Sequence, residues 1–185
     1  MPEVIAKNEK NFTLGEEMTS DRDPFRNPFP ADDPDRRAIW EMLVPRDIDA
    51  FVSADWRAVQ DDFIEVNFWG MNAQFQSEPE AYRLSFPTLA AYRAEWLRQA
   101  EAFGAERDSG AFAADPRQGI YAATRLEQIE IDGETALVRK KFDGRLERSD
   151  GSHARMNWQT LYICRRSDGR WKIAGFVGYL PHIRD

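Results

Sequence analysis

Two histidines are the groups most readily turned to acid–base chemistry near neutral pH. His153 follows the turn Asp150-Gly151-Ser152 at the start of an expected strand, where an exposed place is expected. His182 follows Pro181 close to the C-terminus, where fraying is the default. They stand 29 residues apart, and the chain has a single cysteine, Cys164, so neither a metal site nor a bound cofactor is expected and no disulfide can form within the chain. The run Arg139-Lys140-Lys141 lies in a strand-like segment, where alternation turns one of Arg139 and Lys140 inward. An inward lysine is costly to bury charged without a partner, and such lysines are a recognised route to catalysis. The alternative is that all three cations hang over the rim of a sheet in solvent. Asn67, Thr160, Tyr162 and Tyr179 complete the candidate polar groups. Lys141-Phe142-Asp143 sets a cation and a carboxylate two residues apart, although Asp143-Gly144 reads more simply as a bend.

The elements that must position these groups fall into two halves. Asp33-Pro34 is a capping pair that opens a helix with Ile39, Trp40, Leu43 and Val44 on one face. Pro45 should end or kink it, and Asp47 can cap a restart carrying Ile48, Phe51 and Val52. A short helix with Trp56, Val59 and Phe63 follows Asp55, and residues 64–68 read as extended. Ser77-Glu78-Pro79-Glu80 has the spacing of a capping box. From Thr88, Leu89, Tyr92, Trp96, Ala100 and Phe103 recur on one helical face, and residues 104–118 read as a loop. Then the period changes to that of strands over Ile120–Ile131, Thr135–Glu147, His153–Arg166 and Trp171–Leu180. An Asp-Gly stands in each of the three separators, which predicts an antiparallel meander.

Composition bounds what these elements can serve. The chain has 185 residues, 42% of them hydrophobic, enough for one domain with a substantial core. The net charge of -7 argues against nucleic acid, which is held by neutralising phosphates. No apolar run is long enough for a membrane span or a secretory signal, so a cytoplasmic location is expected. Residues 1–34 are polar and contain five prolines, and read as a partly disordered arm ahead of a single domain over 35–185. Within the arm, Asp23–Pro30 carries Phe25 and Phe29 on a stiffened strap, expected to lie over the domain's own core, the alternative being an arm that reaches across a subunit interface.

Two stretches carry a resemblance. Ser53-Ala54-Asp55-Trp56-Arg57-Ala58-Val59 resembles the turn after the first long helix of the nuclear transport factor 2-like superfamily. Ser167-Asp168-Gly169-Arg170-Trp171-Lys172-Ile173-Ala174-Gly175 resembles its closing hairpin, as found in scytalone dehydratase. The superfamily also includes ketosteroid isomerase, polyketide-cyclase-like proteins, limonene epoxide hydrolase and the small subunits of ring-hydroxylating dioxygenases. The resemblance implies an α+β fold, a cone-shaped curved antiparallel sheet wrapped over N-terminal helices, with a deep apolar pocket between them and pairing of two copies through the outer sheet face. In Trp158–Arg166 both alternating faces are partly apolar, which agrees with helices on one side and a partner copy on the other.

The resemblance stops short of a catalytic set. The helix Tyr-Asp positions of scytalone dehydratase hold Phe51 and Val52, its Asn position holds Thr160, and its histidine positions fall near Gly119 and Gly144 or Arg145. The ketosteroid isomerase base and oxyanion-hole tyrosine fall at about Met71 and Asp47. Lys141-Phe142-Asp143 has Lys where limonene epoxide hydrolase has Arg. Catalytic residues are therefore unassigned. The expected pocket lining is Phe51, Trp69, Met71, Tyr121, Lys140, Phe142, Trp158, Thr160, Tyr162, Phe176 and Tyr179. The expected function is binding of a small hydrophobic molecule by a homodimer, with a lyase or isomerase reaction on a polyketide- or steroid-like compound as its enzymatic form. The alternative is a non-catalytic subunit or interaction module resembling dioxygenase small subunits.

Overall fold

A computed structural model describes residues 22–182. Residues 1–21 of the expected arm and the last three residues lie outside the described residues. Helix α1 (Pro34–Glu41) starts as its cap dictates, with the Asp33 carboxylate accepting from the Arg36 N–H. Pro45 does not stop the chain. It sits in a π-helical turn, Met42–Arg46, which runs directly into α2 (Asp47–Ser53). A widened turn accommodates the missing N–H without breaking the helical path, and such turns often coincide with functional positions. Here the Asp47 N–H donates to the Val44 carbonyl. The neighbouring Leu43 carbonyl accepts from a side chain of the sheet instead.

The chain leaves α2 through Ala54 in the left-handed region, and the Asp55 carboxylate caps a short 3-10 turn at Trp56–Ala58. Strand β1 (Trp69–Asn72) and strand β2 (Arg83–Phe86) form a hairpin, followed by α3 (Leu89–Asp108), which Thr88 caps. Residues 64–68, read as extended, form no strand and contain a turn at 66–67 before β1. Ser77 caps no helix, because Pro79–Ala81 is a single 3-10 turn without a side-chain cap. Helix α4 (Pro116–Ala123) occupies the end of the expected loop and the start of the expected first long strand. Four long strands then complete the sheet: β3 (Thr124–Asp132), β4 (Thr135–Glu147), β5 (His153–Ser167) and β6 (Arg170–Pro181).

The fold is α+β, with the strand order β2-β1-β6-β5-β4-β3. The expected meander is β3 to β6, and its last turn has both Asp168 and Gly169 at positive φ, 53° and 72°, as a two-residue hairpin requires. Two details differ from the expectation. β1 runs parallel to β6, so the sheet is mixed, and β2 and β3 are free edges, so the sheet is open and makes no closed barrel. Asp143-Gly144 lies inside β4 and forms no bend. Gly144 is needed there because a Cβ would come within 2.7 Å of the Ala123 Cβ and 3.1 Å of its Cα, on α4.

The core lies between the helices and the inner sheet face. Trp56 stacks on Phe63 and meets Trp96 and Tyr92 edge-on, so most of the helical half's aromatics are packing residues. At the other end, Phe29 packs against the core, while Phe25 lies 4.5 Å from the Tyr121 ring and under the Arg117 guanidinium. Cys164 is fully buried, and burial pushes its thiol up to about 12. Native protein treated with a thiol reagent at pH 8 should show no reaction, and one equivalent should react only after unfolding in denaturant.

Candidate functional site

A cavity of about 370 Å³ opens between α2, α3, α4 and the inner face of β4, β5 and β6. That is within the range of small-molecule pockets. The β4–β5 ladder orders its wall. Inward positions pair as Val138 with Tyr162, Lys140 with Thr160, Phe142 with Trp158, Gly144 with Met156, and Leu146 with Ala154. Successive inward pairs are two residues apart, roughly 6.7 Å along the strands. The cavity therefore follows one polar rung, Lys140/Thr160, and then mainly apolar ones. Phe142 and Trp158 stack at 4.8 Å, and Trp158 meets Tyr179 at 5.7 Å. Opposite, α3 contributes Tyr92, Trp96, Gln99 and Phe103, α2 contributes Ile48 and Phe51, and α4 contributes Ile120.

Lys140 resolves the choice left open by alternation. Its side chain is 1% exposed, and its Nζ donates to the Leu43 carbonyl at 2.5 Å and to Asp47 Oδ2 at 2.7 Å. Arg139 is exposed on the other face, and Lys141 is half-buried. The Pro45 turn and the α2 N-terminus together supply the two acceptors that make a buried lysine tolerable. Phe142 adds its ring face 5.2 Å from Nζ.

Around this pair stand hydroxyls with no partner among the described residues. Tyr92, Tyr162 and Thr160 line the cavity, and none of their hydroxyls bonds to another described residue. Burial, with the Asp47 carboxylate as the next cause, holds both tyrosines far above the usual phenol range, so they are donors at any physiological pH. Glu95, at the cavity's side, is held down to about 2 by hydrogen bonds from Arg98 and then Gln99. A depressed carboxylate stabilises the fold fully above the unfolded value of 4.5 and loses that contribution as pH falls toward 2. NMR titration of the Glu95 side-chain carboxyl should give a midpoint near the lower figure, rising toward 4.5 in Arg98→Ala.

Of the residues expected in the pocket, Phe51, Lys140, Phe142, Trp158, Thr160, Tyr162, Phe176 and Tyr179 line the cavity. Trp69, Met71 and Tyr121 stand elsewhere. On β1 it is Gly70 that faces Phe176 and Phe86, so its two neighbours point to the other side, and Trp69 lies across Gly175. Tyr121 belongs to a helix and not to a strand. Ile120 takes the cavity side, while the Tyr121 hydroxyl donates to Asp49 Oδ1 at 3.0 Å. Asn67 is exposed in a turn at positive φ. His153 is exposed, as expected, but His182 is not frayed: its Nε2 lies 3.8 Å from Asp143 Oδ2, with the ring 10% exposed. Among the described residues no group of three or more His, Cys, Asp or Glu could hold a metal.

No protein-family model and no curated protein matches the chain. Solved structures do. A nuclear transport factor 2-like superfamily protein from Salmonella enterica serovar Typhimurium superposes with a TM-score of 0.51 at 12% identity, over 84% of this chain and 96% of that one. The chain has the nuclear transport factor 2-like fold. An NTF2-like protein with a cystatin-like fold from Novosphingobium aromaticivorans matches at 0.47 and 15% identity, covering 80% of this chain and 82% of that one. A ketosteroid isomerase-like protein from Erwinia carotovora atroseptica matches at 0.43 and 18%, covering 76% and 92%.

Within this nuclear transport factor 2-like fold, the cavity depends on a break in alternation that the sequence pattern does not announce. Along β6, Phe176 and Gly178 face inward, so Tyr179 should face outward. One extra residue on β6 between the pairs Leu161–Val177 and Gln159–Leu180 makes a bulge, and Tyr179 takes φ 53°. A bulky residue in the left-handed region is uncommon and is held there by its surroundings. The result is a second inward side chain after Gly178, placed beside Trp158. Sequence reasoning also passed over Asp47 and the α3 wall. The signal for α3 was present, since Tyr92, Glu95, Trp96 and Gln99 share one helical face, but it reads as ordinary core.

Proposed function

We propose that this protein binds a small, mainly apolar molecule in the cavity between its helices and its sheet. The observation that carries the reading is the cavity itself: about 370 Å³ walled by Phe51, Trp96, Phe103, Phe142, Trp158 and Phe176, with a buried Lys140–Asp47 pair at one end. A space of that size with apolar walls is poorly hydrated and gains by taking apolar surface out of water. The ion pair sets a lysine and a carboxylate at that end, and the enzymatic form of the proposal is a lyase or isomerase acting on a hydrophobic polyketide- or steroid-like compound. Two copies pair through the outer sheet face, where Leu137, Leu161, Ile163 and Val177 form an apolar stripe on adjacent strands. Leu137 is 42% exposed in the single chain, which supports that reading.

The test is saturable quenching of tryptophan fluorescence by uncharged aromatic compounds of two or three rings. Trp158→Ala should weaken binding about tenfold, since a stacked aromatic partner and its buried area are both lost. Absence of saturable binding by any member of such a panel, or affinity unmoved by Trp158→Ala, would overturn the proposal. Sedimentation equilibrium tests the pairing, with Leu137→Glu expected to convert dimer to monomer.

A further inference from the structure

The buried polar side chains of the cavity, Lys140 and Thr160, stand together, while Glu95, Gln99, Arg155 and Tyr179 line it elsewhere. Lys140 and Thr160 form one rung of the β4–β5 ladder, Tyr162 stands at the next rung on one side, and Tyr92 faces them from α3. In the other direction the paired wall residues are Phe142/Trp158, Gly144/Met156 and Leu146/Ala154, of which Trp158 alone carries a hydrogen-bond donor, its indole N–H. A lysine ammonium has three donors. The Leu43 carbonyl and Asp47 occupy two of them, and no further acceptor for Nζ stands among the described residues. The 1% exposure of that side chain leaves the cavity as the place from which a third acceptor can come. Thr160, 7% exposed, has a hydroxyl in the same state.

We propose that the ligand carries a single oxygen function, a hydroxyl or a carbonyl, at one end of an apolar body, and that it enters oxygen-first to meet Lys140, Thr160 and Tyr162. This rests on the reading of the cavity as a ligand site and adds an orientation and a chemical class to it. The apolar body lies along Phe142 and Trp158 toward Leu146, over three rungs or roughly 13 Å of strand. Asp47 is a positioning residue in this arrangement. It holds Nζ in place through Oδ2 and does not itself touch the ligand oxygen. A buried donor set of this kind discriminates strongly, because an analogue lacking the oxygen leaves every donor unpaired.

The experiment compares biphenyl with 4-hydroxybiphenyl, two compounds of one shape, by quenching of tryptophan fluorescence. For the unaltered protein the hydroxylated compound should bind at least tenfold more tightly. Thr160→Val and Tyr162→Phe remove one hydroxyl each at nearly constant volume, and each should cut that preference about threefold or more while leaving biphenyl affinity unchanged. Lys140→Met should abolish the preference, and because that variant could fail to fold, the two hydroxyl variants are sufficient alone. Equal affinity of both compounds for the unaltered protein overturns the oxygen-first inference and leaves the pocket reading standing. A preference that survives both hydroxyl variants overturns it as well. Failure of both compounds to bind overturns the pocket reading and this inference together.

Discussion

Asp47→Ala should destabilise the protein by about 3 kcal/mol, the low end of what removing one partner of a buried ion pair costs. The low end applies because the Asp47 side chain keeps 30% of its exposure while Lys140 keeps 1%. What the substitution leaves behind is a buried ammonium with only the Leu43 carbonyl to receive it. In a domain of this size that corresponds to a fall in Tm of roughly 6–12 °C. The double variant Asp47→Leu/Lys140→Met should recover most of the loss, since an apolar pair of similar volume carries no desolvation penalty. Urea unfolding of the single and double variants measures both. A single variant as stable as the unaltered protein would show that Lys140 has another acceptor.

The second large effect is expected at Gly144. Alanine there brings a methyl group within 2.7 Å of the Ala123 Cβ and 3.1 Å of its Cα. The opposing atoms are a helix Cα and the Cβ fixed to it, which cannot swing aside, so α4 must move off β4, at a cost of about 1–3 kcal/mol. Because Ile120 of α4 walls the cavity, ligand affinity should fall in the same variant. Gly104→Ala is the matching control. It lies in α3 with nothing within 4 Å of a new Cβ, and there alanine should stabilise by about 0.5–1 kcal/mol through helix propensity. Thermal unfolding of the two variants should therefore move in opposite directions.

The sheet was legible because its turns are written in residues that accept positive φ. Asp168-Gly169 and Gly133 fix where β5, β6, β3 and β4 must reverse, and the wall residues Phe142, Trp158, Thr160 and Tyr162 follow from parity along those strands. Parity needs a known starting point, and that is where the reading failed. Ile120-Tyr121-Ala122-Ala123 is an unbroken small and apolar run that suits strand and helix equally, so strand parity aims Tyr121 inward where the helix turns Ile120 to the cavity. β1 has four residues, too few for a period to show which of Trp69, Gly70 and Met71 faces the core. The choice between Arg139 and Lys140 stayed open for a related reason. It is settled by two acceptors on another element, one of them a carbonyl beside a proline turn, and no local pattern contains that information. Tyr179 lines the cavity although strict alternation would turn it outward, because the bulge breaks that alternation.

The position of β6 has a consequence for how the molecule is made. A ribosome that has delivered everything up to residue 169 has released β1 and β2, yet the strand that joins them to the rest comes after them all and fits between β1 and β5. Until then the short β1–β2 hairpin has no third strand, and an isolated hairpin is marginal at best. The link from residues 69–72 to residues 175–178 spans about a hundred positions of chain, the kind of distant pairing that is slow to form. The helical half and the β3–β5 meander thus wait for one another, and the greasy hollow between them is sealed only when the final long strand is threaded into place. A guest molecule can be enclosed only by a finished protein, and a nascent chain presents that same lining to chaperones instead.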